Sequence, residues 1–439
     1  MKGSTLDISL LLLFLLASCS PAGKHGDVAN ALEATDSCKS DPGHRYEVYI
    51  PERNSLSIKL PLLVIIDAHG DGRTALAKFK HGADQYPVVL IASDLIKNGY
   101  TDYEGAIKAL IDDVRQKYPV NESIFMTGFS GGARMVLGYA LAHQINGMVL
   151  CGALANADQI RAIRCPIISI SGMDDFNFIE TAQYLFQEPS IPGTLKIELT
   201  GGSHNWPDSL ILGNALGFLY FSCQVPDPGS YTKRELQTYV KHQHEWIDSL
   251  AKAGKLLEAV IIARNMSVTA PFNSDKTFAT AYKQLKTDPV YNNQIGQLQN
   301  CLNLEIKARQ PYLEAFMTKD SMWWINEVST IDKKIDSETD PFMNDMYQRI
   351  RGFLGIACYS LGNQAIKERN AEKLEKIVFI YHELEPENPY VLYFSAFPYF
   401  WEGNVETTLS MLRKAREMGF SDMAQLTSDF PVSITSKLQ

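Results

Sequence analysis

The sequence predicts an α/β domain with a doubly wound, mostly parallel sheet, followed by an all-α domain built of helical hairpins. Three observations carry this. Apolar runs alternate with helical patterns from Tyr46 to about Cys223. Several of those runs are continuous rather than alternating, as strands covered on both faces require. Beyond about Pro226 the runs give way to apolar residues spaced three and four apart, the pattern of amphipathic helices.

The chain has 439 residues, 45% hydrophobic and 21% charged, which allows two or three folded domains. A net charge of −9 without a basic stripe excludes nucleic acid as a partner, because phosphate binding needs clustered Lys and Arg. Residues 1–19 form a different material. Lys2 supplies a positive start, and Leu10 to Ala17 is an unbroken apolar run, the build of a secretion signal too short to span a bilayer. Leu16-Ala17-Ser18-Cys19 resembles a bacterial lipobox, which implies lipidation of Cys19 and an anchor in the bacterial cell envelope, periplasm-facing or at the cell surface. A plain cleaved signal peptide is the alternative. Residues 20–42 are small and polar and read as a flexible tether, spanning roughly 25 Å on average.

The α/β domain is expected over 43–225. Its strands fall at 46–51, 61–67, 87–93, 123–127, 147–153, 167–171 and 195–199, with helices that include Tyr103 to Tyr118 and Gly132 to Gln144. The all-α domain covers 226–439, with helical patterns at 231–264, 275–318, 340–362 and 364–418. Asn388 to Arg416 resembles a tetratricopeptide-type hairpin, and Tyr239 to Asn265, turning at Ala253-Gly254-Lys255, is a second candidate. This half offers a surface for a protein partner. Six cysteines remain after Cys19. Cys38 and Cys223 flank the α/β domain, so a bridge closing it is expected, while Cys151 and Cys165 read as buried thiols. No cysteine pair has zinc-ligand spacing, and neither a Walker-type loop nor a dinucleotide fingerprint occurs, so no metal and no cofactor are expected.

The chemistry-bearing residues sit at strand ends. In Gly128-Phe129-Ser130-Gly131-Gly132, an apolar strand precedes the serine and a helical pattern follows it. A serine on such a turn presents its hydroxyl above the sheet as a nucleophile. It needs a base, and the base needs an orienting acid. His204, in the Gly-rich stretch Thr200 to Pro207 after the last strand, is the candidate base. The acid is Asp175, favoured over Asp174, in the loop after the strand 167–171. Backbone amides of Gly131 and Asp71 are the candidate oxyanion donors, and His69 is expected to brace the loop that carries Asp71.

With these residues in place the chain resembles the α/β-hydrolase superfamily, and most of all its small esterases: the polyhydroxyalkanoate depolymerase, feruloyl esterase and dienelactone hydrolase relatives. The carrying segments are His69-Gly70, Tyr118-Pro119-Val120 leading into the Ser130 pentapeptide, Gly172-Met173-Asp174-Asp175, and Gly201 to Pro207. The likeness covers about 45–225 and none of the helical half. It implies an ester-cleaving triad of Ser130, Asp175 and His204. Ser203 and the acidic Asp71 depart from the pattern, and an inward Asp71 carboxylate would weaken anion binding. Only 154–166 separates two strands where a lid often sits, too short for a helical lid, so the site is either open or covered by the C-terminal helices. The expected activity is hydrolysis of small or polysaccharide-linked acyl esters. A serine peptidase of the same fold and an inactive, hydrolase-like scaffold are the alternatives.

Overall fold

A computed structural model describes residues 30–52, 58–186, 194–223 and 231–438. The signal segment, Cys19, the first part of the tether and the boundary near 225 lie outside the described residues.

Eight strands build one sheet: β1 Leu32–Ser37, β2 Arg45–Ile50, β3 Leu60–Ile66, β4 Val89–Ser93, β5 Val120–Phe129, β6 Gly147–Cys151, β7 Ile167–Gly172 and β8 Leu195–Thr200. Their order is β1-β2-β4-β3-β5-β6-β7-β8. The β1–β2 and β2–β4 pairs are antiparallel, and every pair from β4 through β3 to β8 is parallel. Parallel neighbours need crossover helices, which cover both faces. These are α1 Gly72–Gln85, α2 Tyr103–Lys117, α3 Gly131–Ala142, α4 Ala157–Ala162, α5 Phe178–Ala182 and α6 Ser209–Ser222. Along β3, Leu62, Val64 and Ile66 pack toward α2 and α3, and Leu63 and Ile65 toward α1 and α6. This is the α/β-hydrolase fold.

The seven strands read from the sequence are all present. The eighth, β1, corrects the expected tether: residues 32–37 pair with β2 as an edge strand instead of hanging free. Asp36 explains the difference. Its carboxylate accepts from Lys117 Nζ at 3.1 Å and Tyr118 Oη at 2.8 Å, tying a short polar segment to the C-terminal end of α2. The expected Cys38–Cys223 bridge is absent; both are free buried thiols. Cys38 follows edge strand β1, whereas Cys223 ends α6 beside Gly147 on β6. Five strand spacings separate them, roughly 24 Å, far beyond disulfide reach.

The second half is helical throughout the described residues. It runs through α7 Lys233–Lys252, α8 Leu256–Val268, α9 Lys276–Lys286, α10 Pro289–Thr318, α11 Ser321–Ser337 and α12 Pro341–Glu368. It ends with α13 Ala371–Leu384, α14 Pro389–Trp401, α15 Val405–Glu417, α16 Met423–Asp429 and α17 Val432–Thr435. Both hairpins read from the sequence form, as α7–α8 and α14–α15. The first docks on the sheet, where Asn265 of α8 donates to the Ile197 carbonyl of β8 at 2.7 Å. Tyr239, Phe272 and Phe278 extend the apolar layer around α6. Helices α10, α12, α13, α14 and α16 turn the other way, over the carboxyl ends of the strands.

Candidate active site

Strand β5 runs without interruption into Ser130, and α3 begins at the next residue. Ser130 has φ 54° and ψ −116°, a left-handed backbone that a serine occupies only when its surroundings over-determine it. Two contacts do so. The Ser130 amide donates to the Cys151 carbonyl at 2.8 Å. Gly132 lies so close to β3 that a Cβ there would collide with the Ile66 carbonyl, so no larger residue lets α3 start at this depth.

The hydroxyl so presented meets His204. Its Nε2 lies 2.8 Å from Ser130 Oγ, and its Nδ1 lies 2.8 and 2.9 Å from the two Asp175 oxygens. Asp175 is 1% exposed and also accepts from the Asn177 amide at 2.7 Å. The imidazole rests between the Phe176 and Phe129 rings, with centroids 4.2 and 4.7 Å away. Gly172 lets the two loops meet, since a Cβ there would strike the Gly202 carbonyl. The imidazole Nδ1 bonds Asp175 and not the neighbouring carboxylate, Asp174. Burial pushes it above the usual carboxylate range, and its Oδ1 has no partner. Of the two acids open in the sequence, Asp175 is the one beside the imidazole.

Of the two amides expected to receive an oxyanion, one lies directly after the serine and the other is turned into a helix cap. The Gly131 amide stands at the N-terminus of α3, directly after the serine, where helix geometry leaves it without an intrahelical acceptor. The Asp71 amide instead faces the Asp67 carboxylate at 3.3 Å, and the Asp71 side chain caps α1 by accepting from Thr74 N at 3.0 Å. An acidic residue one position before a helix is taken by the cap, which turns it from the serine. Asp67 organises this whole loop. It also accepts from the His69 amide at 2.8 Å and Trp206 Nε1 at 2.8 Å. Against the opposing pull of burial, the bonds from His69 and Trp206 hold its carboxyl below the usual range. In turn Asp67 raises the His69 imidazole above its ordinary value. Through its amide and its imidazole, His69 is tied to Asp67 within this loop.

Asn98 is the site residue that sequence reasoning misses. It follows β4 in a loop without a recognisable motif, and its amide donates to the Ala68 carbonyl at 2.9 Å. Its carboxamide lies against the α-carbon of Gly131, where a Cβ would overlap Asn98 Oδ1. The Asn98 carboxamide therefore borders the first residue of α3 and lines the same cleft as Ser130.

These groups form the floor of a cleft of about 1260 Å³. Its roof is the helical half: Arg351, Gly352 and Tyr359 from α12, Glu385 after α13, Tyr390 from α14 and Gln425 from α16. A salt bridge of 2.9 Å from Lys97 Nζ to Asp422 Oδ1 links floor to roof. Of the two arrangements left open by the short 154–166 segment, the covered one is realised. No group of three potential metal ligands occurs among the described residues.

No family model and no curated protein matches the chain. Solved structures do overlap with it. S-formylglutathione hydrolase FrmB from Staphylococcus aureus is 14% identical, with a TM-score of 0.37 over 45% of this chain and 98% of the other. Est1E from Butyrivibrio proteoclasticus is 16% identical, with a TM-score of 0.33 over 42% and 95%. The esterase domain of a Rhodothermus marinus protein is 16% identical, with a TM-score of 0.33 over 43% and 97%.

Proposed function

We propose that the chain is a serine hydrolase that cleaves carboxylic esters through an acyl-enzyme on Ser130. The observation that carries this is the unbroken hydrogen-bonded path from Ser130 Oγ through His204 to Asp175. His204 Nε2 takes the hydroxyl proton as Ser130 attacks the ester carbonyl, and returns it to the departing alcohol. Water then repeats the sequence on the acyl-enzyme, with His204 again as base. Asp175 holds the imidazole tautomer and stabilises the imidazolium. The developing oxyanion is received by the Gly131 amide, with the Asn98 carboxamide as second donor in place of Asp71.

The cleft favours a hydroxyl-rich alcohol, such as an acylated sugar. Its far wall presents Tyr359, Tyr390, Glu385, Asn388 and Gln425, and its volume exceeds the roughly 300–1,000 Å³ that suffices for one small ligand. Phe176 and Asn98 line the cleft on the Ser130 side, and the acyl group expected there is short. In the cell the enzyme acts from the envelope, tethered through lipidated Cys19, a reading that rests on the lipobox-like sequence.

Labelling of the full chain by a fluorophosphonate probe, beside Ser130→Ala and with short-chain p-nitrophenyl esters in parallel, tests the nucleophile. Labelling and turnover are expected in the wild type, with labelling lost and turnover down by about 10⁴-fold or more in the variant. A folded wild-type protein that takes no label would overturn the reading. Faster cleavage of long acyl chains than of acetyl esters would overturn the substrate class.

A further inference from the structure

The loop that carries Asp175 is held by the helical half, through a buried ionic cluster that none of the triad chemistry uses. Between β7 and α5 the chain turns through Met173, Asp174, Asp175, Phe176 and Asn177. Two carbonyls of this turn point out of the α/β domain, Met173 O two residues before the acid and Phe176 O one residue after it. Each is taken by an arginine from the helical half. Arg349 of α12 donates through Nη1 to Met173 O, and Arg309 of α10 donates through Nη2 to Phe176 O at 2.7 Å. Both arginines converge on one carboxylate, Glu305 of α10, with Arg349 Nε 2.7 Å from Oε2 and Arg309 Nη2 2.5 Å from Oε1. The Arg349 guanidinium also covers the Phe178 ring at 4.9 Å.

Arg349 and Glu305 are both 0% exposed. A fully buried ion pair such as Arg349–Glu305 is a poor device for stability alone, since taking the charges out of water offsets most of their attraction. Arg349 Nη2 and Arg309 Nε are even left without partners. What such a cluster supplies is a fixed geometry: planar forks accept only one arrangement of the carbonyls they meet. The fork here sets both shoulders of a turn whose middle residue must keep two oxygens within 2.9 Å of His204 Nδ1.

We propose that Arg349, Arg309 and Glu305 are positioning residues for the triad, through which the helical half holds Asp175 against His204. The proposal rests on Asp175 being the triad acid. The helical half is on this account part of the catalytic apparatus as well as the roof of the cleft.

The test is a double-mutant cycle on the full chain. Arg349→Met and Arg309→Met are each made in the wild type and in Asp175→Ala, whose residual activity remains measurable. Turnover of a p-nitrophenyl ester, the rate and final extent of fluorophosphonate labelling, and thermal melting are read together. In the wild-type background each variant is expected to label to completion but roughly 10- to 100-fold more slowly, with kcat lowered and KM unchanged. In the Asp175→Ala background neither variant is expected to slow the enzyme further. Arg309→Lys, which keeps the charge and one donor, should recover part of the rate. If Arg349→Met does not fold, Arg309→Met carries the cycle, because its side chain reaches the surface. Equal slowing in both backgrounds, or a change confined to KM, would overturn the proposal. If Asp175→Ala itself were as fast as the wild type, the triad assignment would fall instead.

Discussion

The Ser130 turn and the Asp175 loop lie side by side in the site but are built in opposite ways. Ser130 is held by its own neighbours in sequence and by the strands that flank β5: a glycine at 132, a carbonyl from β3 and a carbonyl from β6. The Asp175 loop is held from outside, by guanidinium groups more than 130 residues further along the chain. A local device keeps the strained serine in place whatever the second half does. A long-range device makes the acid's position depend on the docking of that half. One hydrogen-bonded path thus joins a self-supporting part to a borrowed one.

The largest effect should come from breaking the local device. Gly132→Ala places a methyl group against the Ile66 carbonyl, and overpacking of this kind costs about 1–3 kcal/mol. We expect a lower melting temperature and no fluorophosphonate labelling at the temperature where the wild type labels fully; normal labelling would show that the turn is not rigidly built. Next comes the group that leans on this turn without belonging to it. Asn98→Ala should lower kcat by about 100- to 1,000-fold with KM little changed, as removal of one oxyanion donor does. Steady-state kinetics decide this, and a kcat within about twofold of wild type would return the second donor to the backbone.

The smallest effect concerns the third part of the path, strand β8 beneath His204. Glu198 on that strand is buried, its Oε1 has no partner, and burial pushes its carboxyl up to about 8. In the unfolded chain the same carboxyl ionises near its ordinary value of about 4.3. Between those values the unfolded state binds fewer protons than the folded one, so stability falls as pH rises through the window. The amine of neighbouring Lys196, brought down to about 8 by burial, alters the slope only above that pH. Melting curves should therefore show the wild type losing several degrees between about pH 5 and pH 8 relative to Glu198→Gln. Parallel curves for the two proteins would exclude the buried carboxylate as the cause.

The same contrast explains what the sequence discloses. Gly128 to Gly132 is legible because every requirement of the turn, strand before, helix after and glycines on both sides of the serine, is met within a dozen residues. His204 is legible from its place after the last strand. The choice between Asp174 and Asp175 needs coordinates, since both stand in one loop and only the turn decides which carboxylate faces the imidazole. Asp71 misleads because a helix cap and an oxyanion loop favour the same kinds of residue. Asn98 and the two arginines leave no local trace at all: their roles arise from contacts across the fold. Helix α6 hides for a different reason. It is buried on nearly all sides, so Ser209–Ser222 lacks the polar face by which a helix is recognised. Edge strand β1 hides because it is short and polar.

All six described cysteines are buried and unpaired. Burial raises every thiol, to about 11 at Cys38, Cys165 and Cys301, to about 12 at Cys223, and further at Cys151 and Cys358. At neutral pH a thiol near 11 is ionised in only about one molecule in ten thousand, and the thiolate is the form that alkylates. A maleimide dye would therefore pass over the native thiols of the folded body. With Cys19 acylated or replaced, one cysteine introduced at exposed Ser428, on the rim of the cleft, would take the fluorophore alone. The protein's own thiol chemistry thus makes it a ready optical reporter of what enters the space above Ser130.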